Sequence, residues 1–113
     1  MFNYNDAEDF ITMDLRHFGI SEDERKGVFV CTATGYGMIN AGINDGDLLF
    51  FKHTDTFKNG DIVCLNVSEQ LMVRRIFQES VGVRLRREFG NGEDSYVTNY
   101  TLLGKLIGLQ RKL

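Results

Sequence analysis

The sequence predicts a mainly β fold with little helix, and three observations indicate it. Short apolar runs follow one another from Asp47 onward, and turn signals such as Asn59-Gly60 separate them. The helical pattern is confined to a possible single turn at Asp14–His17. The 113 residues contain no proline, so there is no proline-rich linker, and we see no domain boundary or internal repeat. One β domain is therefore expected.

The N-terminal part gives the weakest pattern. Residues 1–9 carry three acids and no base, which predicts an arm or a frayed end ahead of a domain spanning residues 10–113. Ser21–Lys26 is uniformly polar and predicts a turn. The first clear strand follows that turn, from Gly27 to Thr32.

A glycine-rich stretch, residues 33–49, lies between this strand and a second one predicted for Asp47–Lys52. It has four glycines in seventeen residues, which is typical of a chain that turns tightly and approaches another group closely. Loops held between strands commonly carry binding or catalytic residues. We therefore expect the functional site here.

The rest of the chain continues the strand pattern. Alternating and apolar runs predict further strands, with a hairpin turn at Glu79-Ser80 and a loop over residues 89–95. The predicted strands are Asp61–Val67, Leu71–Gln78, Val81–Glu88, Tyr96–Tyr100 and Leu102–Leu109.

Composition narrows the class of protein. Hydrophobic residues make up 42% and charged residues 26%, as in ordinary globular domains. The formal net charge of −3 argues against a generally basic nucleic-acid binder. No apolar run reaches the roughly 20 residues of a membrane span, and the N-terminus lacks the pattern of a signal peptide. We expect a cytoplasmic protein without a membrane partner.

The cysteines and histidines give no metal or cofactor signal. Cys31 and Cys64 lie in apolar runs, which favours buried thiols over a disulfide or a redox pair. Neither His17 nor His53 has a companion at metal-ligand spacing, and a surface role is favoured over catalysis. No cofactor is predicted.

Two blocks of the sequence resemble a known family. Gly35–Leu49 reads Gly-x-x-Met-x-x-x-Gly-Ile-x-Asp-Gly-Asp-Leu-Leu, which is similar to the active-site segment of the LexA/UmuD-type serine peptidases, relatives of the signal peptidases. Asn59–Val63 followed by Leu71–Ile76 resembles their second block. Within this family, the sequence most resembles the UmuD-type polymerase-accessory proteins. The resemblance implies small, strongly curved antiparallel sheets.

The same resemblance places a catalytic dyad at two positions where this chain differs. The family has its nucleophilic serine where this chain has Gly37, and its general-base lysine where this chain has Arg74. Tyr36 and Met38 flank the nucleophile position as its rim. Glycine has no atom that can attack, and arginine stays protonated in proteins, so it cannot act as the base. We therefore expect a peptidase fold without the peptidase reaction.

The N-terminal residues agree with that expectation. Residues 1–18 contain no glycine and hence no family-type self-cleavage site. Before Phe10 there is no room for the helix-turn-helix domain of a LexA-type repressor. The chain is expected to begin where a processed UmuD-type subunit would begin.

Arginines are concentrated on the predicted hairpin and form a second candidate site. Two readings stay open: a contact for phosphate, DNA or an acidic partner, or a solvated face paired with the chain's sixteen acids, which is favoured. Direct nucleic-acid binding is thus expected to be weak or absent. The candidate residues are Arg75, Arg84, Arg86 and Arg87, beside Arg74; alternation places Arg84 and Arg86 on one face and Arg87 on the other.

Family resemblance also implies a homodimer formed through the C-terminal β region. The expected interface residues are Tyr96, Val97, Tyr100, Leu102, Leu103 and Leu106. Exposed aromatic side chains commonly anchor such interfaces.

Three functions remain open from the sequence. The first is an inactive, dimeric interaction module of a bacterial or phage SOS/DNA-damage response, partnered by a translesion DNA polymerase or a RecA-type filament. The second is a regulator that pairs with a LexA- or phage-repressor-type protein. The third is an active, self-processing peptidase that uses other residues, such as Thr32 or Thr34 with His53.

Overall fold

The computed structural model describes residues 27–111, and they form a seven-stranded antiparallel sheet with one short 3-10 turn at Ile39–Ala41. The predicted mainly β class with little helix is confirmed. The strands are β1 (Val28–Thr32), β2 (Leu48–His53), β3 (Ile62–Val67), β4 (Gln70–Gln78), β5 (Val83–Arg87), β6 (Glu93–Val97) and β7 (Thr101–Gln110). The expected arm at residues 1–9, the turns at Asp14–His17 and Ser21–Lys26, and His17 lie outside the described residues.

The last strand lies inside the sheet and not at its edge. The spatial order is β1-β2-β7-β3-β4-β5-β6, so β7 hydrogen-bonds to β2 on one side and to β3 on the other. The pairs β1–β2, β3–β4, β4–β5 and β5–β6 join strands that follow one another in the chain. Strand β7 therefore joins an N-terminal pair of strands to a four-stranded meander.

Strand β7 is irregular on both of its edges. Its register against β2 shifts between Phe50 and Phe51, and its register against β3 shifts between Cys64 and Leu65. Each shift leaves one residue of β7 without an opposite partner, Ile107 and Leu103 respectively. Such bulges bend a strand and increase its twist, which curves the sheet.

Two groups of apolar side chains form the core. The larger includes Phe29, Phe51 and Cys64, and it also takes Met38 and Ile43 from the glycine-rich loop. The smaller group comes from the meander and contains Val63, Leu65, Ile76, Val83 and Leu85. Because the loop contributes buried side chains, its position is fixed by packing on the sheet.

The cysteines are buried free thiols, and they lie close to each other. Hydrogen bonding to Cys31, together with burial, raises the pKa of the Cys64 thiol. A thiol with a raised pKa is a poor nucleophile at neutral pH. Both side chains act as small apolar groups in the larger core cluster.

Two predicted boundaries near the C-terminus were wrong. Strand β6 covers Glu93–Val97, whereas the sequence predicted a loop over 89–95 and a strand over 96–100. Val81, predicted as part of a strand, is 73% exposed in the turn before β5. Strand β6 was missed because it is a polar edge strand without an apolar pattern. Its acids lie opposite arginines of β5, with Asp94 paired to Arg86.

Candidate functional site

The glycine-rich loop is closed at its base by backbone hydrogen bonds. The Ala33 N–H donates to the Asp47 carbonyl at 2.8 Å, and the Gly46 N–H donates to the Ala33 carbonyl at 2.7 Å. Gly35 has a φ of 89°, which favours glycine, and its N–H donates to Asp45 Oδ1 at 2.7 Å. These bonds hold the loop as a defined turn between β1 and β2.

The tip of the loop is attached to the chain that follows β5. Asn40 donates its backbone N–H to the Glu88 carbonyl at 2.7 Å and its side-chain amide to the Gly90 carbonyl at 3.0 Å. Met38 is buried at 3% exposure and packs into the larger core cluster. The loop thus spans from the first strands to the meander, and Gly37 lies next to β4 and β5.

An ion pair at the far end of the loop joins it to the end of the chain. Asp47, at 1% exposure, accepts hydrogen bonds from Arg111 Nε and Nη2, both at 2.8 Å, and from the Asn44 N–H at 2.7 Å. Arg111 Nη2 also donates to the Gly42 carbonyl at 2.8 Å. Its hydrogen bond to Arg111 lowers the pKa of the Asp47 carboxyl. Sequence reasoning did not connect these two residues.

Two arginine side chains converge on Gly37. A Cβ atom built at Gly37 would lie 3.8 Å from Arg74 Nη1 and 3.7 Å from Arg87 Nε. The structure therefore brings together the two positions, 37 and 74, that the family resemblance assigns to the dyad. Arg87 joins them because β4 and β5 pair Arg75 with Arg86, and the next step of that register sets Arg74 opposite Arg87.

A pocket of about 290 Å³ opens at this point. Gly37, Arg74 and Arg87 are among its lining residues, and Tyr36 stands at its rim with 60% exposure. Much of the remaining lining is apolar. The remaining lining residues, polar and apolar together, are Ala33, Thr34, Gly35, Met38, Ile43, Gln70, Leu71 and Met72.

The charges in this pocket are imperfectly compensated. Burial lowers the pKa of the Arg74 guanidinium, and the neighbouring charge of Arg87 lowers it further. Within residues 27–111, Arg74 has no carboxylate at ion-pair distance, and its Nη1 donates to the Val73 carbonyl at 2.7 Å. Arg87 Nη1 lies 3.6 Å from Glu93 Oε2, whereas its Nε is buried and has no hydrogen-bond partner in that part of the chain.

The residues proposed for an alternative peptidase reaction lie apart. Thr34 lines the pocket beside Gly37, whereas His53 lines a separate hollow with Lys52 and Lys105. Within residues 27–111 no three His, Cys, Asp or Glu side chains form a metal-binding group, and no helix has the length and apolar character of a membrane span.

The hairpin arginines are divided between the two faces of the sheet. Arg87 lies in the pocket with Arg74, so it does not belong to an outer cluster with Arg75, Arg84 and Arg86. The other three have acidic neighbours: Arg75 pairs with Glu88, Arg84 lies 3.4 Å from Asp94 and 3.7 Å from Glu79, and Arg86 lies 3.1 Å from Asp94. Arg84 also lies 4.1 Å from the Phe77 ring. This is the geometry of the paired, solvated face.

The six residues predicted for a dimer interface differ in their surroundings. Tyr96 is 66% exposed and available to a partner. Leu103 and Leu106 pack against the larger core cluster, and Val97, Tyr100 and Leu102 pack against the smaller one. The same region exposes two further apolar side chains that were not predicted, Ile107 at 49% and Leu109 at 37%.

Fold and pocket together define a β domain with a pocket between a glycine-rich loop and the β4–β5 hairpin. Residues 1–107 match the family described as Peptidase S24-like, and the chain belongs to that family.

Curated relatives point to the same group. The chain is 38% identical over 87 residues to a protein named LexA repressor from Clostridium botulinum, a match that covers 77% of this chain and 43% of the relative. It is 35% identical over 104 residues to a LexA repressor of Clostridium perfringens, covering 92% and 49%. The identity to a LexA repressor of Oceanobacillus iheyensis is 41% over 87 residues, covering 76% and 42%. The chain thus spans less than half the length of these relatives.

Proposed function

We propose that this protein is a catalytically inactive member of the Peptidase S24-like family. It acts as a dimeric interaction module in the SOS/DNA-damage response, which is the role that its resemblance to UmuD-type proteins implies. Its partner is a translesion DNA polymerase, a RecA-type filament or a LexA-type repressor. The observation that carries the proposal is the meeting of Gly37 with two guanidinium groups where the family resemblance expects a serine and a lysine.

The chemistry of these groups supports inactivity. A Ser-Lys dyad requires a hydroxyl that attacks and an amine that has lost its proton. Gly37 supplies no hydroxyl. Burial lowers the pKa of Arg74, but a guanidinium still stays protonated in proteins, and its neighbour Arg87 is a second cation rather than a base. The pocket keeps the shape of a binding site, and the two arginine side chains offer it hydrogen-bond donors but no acceptor.

We predict that the purified protein cleaves neither itself nor added peptides between pH 6 and pH 10. Gly37→Ser alone is expected to remain inactive, because the base is still missing. The serine should fit, since the added Cβ meets its nearest neighbours at 3.7–3.9 Å and Gly37 does not have a positive φ. Mass spectrometry after long incubation is the measurement.

The matched variants are Arg74→Lys, which restores an amine without a nucleophile, and the double variant Gly37→Ser/Arg74→Lys. Cleavage confined to the double variant would support the assignment of both positions. Cleavage by the unmodified protein that a serine-directed inhibitor abolishes would contradict the proposal.

We predict a homodimer at micromolar concentration through the part of β7 that exposes Ile107 and Leu109. Replacing Ile107 by glutamate places a charge on this apolar surface and is expected to weaken the dimer at least about tenfold. Val81→Glu is the matched control, because Val81 is also exposed but lies in the turn between β4 and β5. Light scattering that finds a monomer for the unmodified protein would refute the dimer.

Pairing with a LexA-type repressor is the second candidate, and the likeness to LexA repressors over 87–104 residues favours it. Proteins that share a fold and a dimer surface can exchange subunits. A mixed dimer, detected by native mass spectrometry after mixing with such a repressor, would support this candidate. If this protein stays a stable homodimer and no mixed dimer with the repressor forms, this candidate is excluded.

A further inference from the structure

The arrangement of Arg74 and Arg87 in the pocket is electrostatically unfavourable. Two guanidinium groups lie within 4 Å of one point beside Gly37, and like charges at short range repel each other. Glu93 offsets part of the charge of Arg87, but Glu93 is 76% exposed and lies at 3.6 Å from it. The described residues place no acid beside Arg74. A pocket with this arrangement holds unbalanced positive charge.

Arg87 also has a donor that water does not reach. Its Nε is buried and lacks a hydrogen-bond partner among residues 27–111. Buried donors in folded proteins are nearly always paired, so an unpaired one needs an explanation. An anionic acceptor beside Gly37 bonds to Arg74 Nη1 and Arg87 Nη2 and reduces the repulsion between the two guanidinium groups, and a turn of the Arg87 side chain toward it gives Nε its partner.

The shape of the pocket favours a single carboxylate. Guanidinium groups bind planar oxyanions through paired hydrogen bonds, and two of them can surround one such group. The walls beside them are apolar, with Met38, Ile43, Leu71 and Met72 facing the space, as suits the aliphatic part of an acidic side chain. The volume of about 290 Å³ holds one such side chain with part of its backbone.

A nucleic-acid phosphate backbone fits these observations less well. A polyanion is held by several spread cations, and its binding grows with the number of phosphates neutralised. The other arginines of the β4–β5 hairpin, Arg75, Arg84 and Arg86, are paired with acids on the opposite face. The chain as a whole carries a net charge of −3.

We propose that Arg74 and Arg87 form a recognition site for the carboxylate of an acidic residue in a bound peptide segment, with Gly37 leaving the space that the carboxylate fills. This goes beyond the proposed function and does not depend on dimer formation. Substitution of the dyad positions then replaces a reaction with recognition of a negative charge.

The test is an NMR titration of the ¹⁵N-labelled protein with two capped peptides, acetyl-Leu-Glu-Leu-amide and acetyl-Leu-Gln-Leu-amide. The Glu peptide is expected to bind at least about tenfold more tightly, because charge-assisted hydrogen bonds are about twice as strong as neutral ones. The Arg87 Nε–H and Gly37 N–H resonances should move and saturate together. Mass spectrometry of the same sample reports cleavage, so failure of the inactive-enzyme proposal is seen separately.

Two variants locate the site. Arg87→Gln is expected to remove the preference for the Glu peptide, whereas Arg84→Gln, on the opposite face, should leave it unchanged. Equal binding of both peptides to the unmodified protein would overturn the proposal without any variant. An equal loss of the preference for the Glu peptide in Arg87→Gln and Arg84→Gln would also overturn it. Binding of inorganic phosphate or a single-stranded oligonucleotide at Gly37, without binding of the Glu peptide, would overturn it as well.

Discussion

Replacing Asp47 by alanine is expected to lower the free energy of unfolding by about 3 kcal/mol, the lower end for loss of one partner of a buried ion pair. The carboxylate is buried and accepts three hydrogen bonds, two from Arg111 and one from the Asn44 N–H. The lower end applies because the Arg111 side chain is 44% exposed and can be hydrated when its partner is lost. Urea denaturation followed by circular dichroism measures the change.

The effect of this substitution should depend on pH. The pKa of Asp47 is lowered by folding, so its ionised form stabilises the protein fully above the ordinary value of 3.8. That stabilisation is lost as the pH falls through the lower folded pKa, where the carboxyl is protonated in both states. The difference between the unmodified protein and Asp47→Ala should therefore be constant from pH 7 to pH 5 and shrink below pH 4.

Asp55→Ala is the control, since Asp55 is exposed and the substitution makes the same change in charge. It should alter the free energy of unfolding by no more than about 0.5 kcal/mol, as is usual at surface positions. A cost at Asp47 as small as that at Asp55 would show that the ion pair does not hold the loop.

Replacing Gly104 by alanine is expected to lower the free energy of unfolding by about 2–3 kcal/mol, the upper range for overpacking a filled core. Gly104 is buried in β7, where it pairs with Cys64 of β3. An added Cβ would lie 2.7 Å from Phe29 Cε1 and 2.8 Å from the Lys52 carbonyl oxygen. Neither neighbour can move easily, because the ring is buried and the carbonyl belongs to the adjacent strand.

The matched control is Gly108→Ala in the same strand. Gly108 is exposed and an added Cβ meets nothing within 4 Å, so the substitution should be neutral or stabilise by up to about 1 kcal/mol. Thermal unfolding of the two variants compares them directly. Similar stability of both would mean that the close approach of β7 to Phe29 does not constrain the sheet.

The sequence was most informative where side chains alternate and where turn residues are strong. Strands β1 to β5 were predicted within a few residues because their apolar positions face the core. Strand β6 was missed because Glu93 and Asp94 look like loop residues until they lie opposite arginines. Its stability comes from partners on another strand, and a pattern within the segment itself does not contain that information.

The candidate site shows the same division. Resemblance and spacing indicated positions 37 and 74, and alternation separated Arg87 from Arg84 and Arg86. The sequence did not predict that Arg87 lies in the pocket. Its position beside Arg74 depends on the register between β4 and β5. The link from Asp47 to Arg111 spans 64 residues, and no local signal marks it.

By itself, the sequence determined the β class, the position of the glycine-rich loop, and the absence of a serine and a lysine at positions 37 and 74. Only the tertiary structure decided which charges meet in the pocket and which pair with acids outside it. The physical reason is that hydrophobic alternation and turn preference act within a few residues, whereas the central position of β7 and the strand registers arise from contacts across the whole chain.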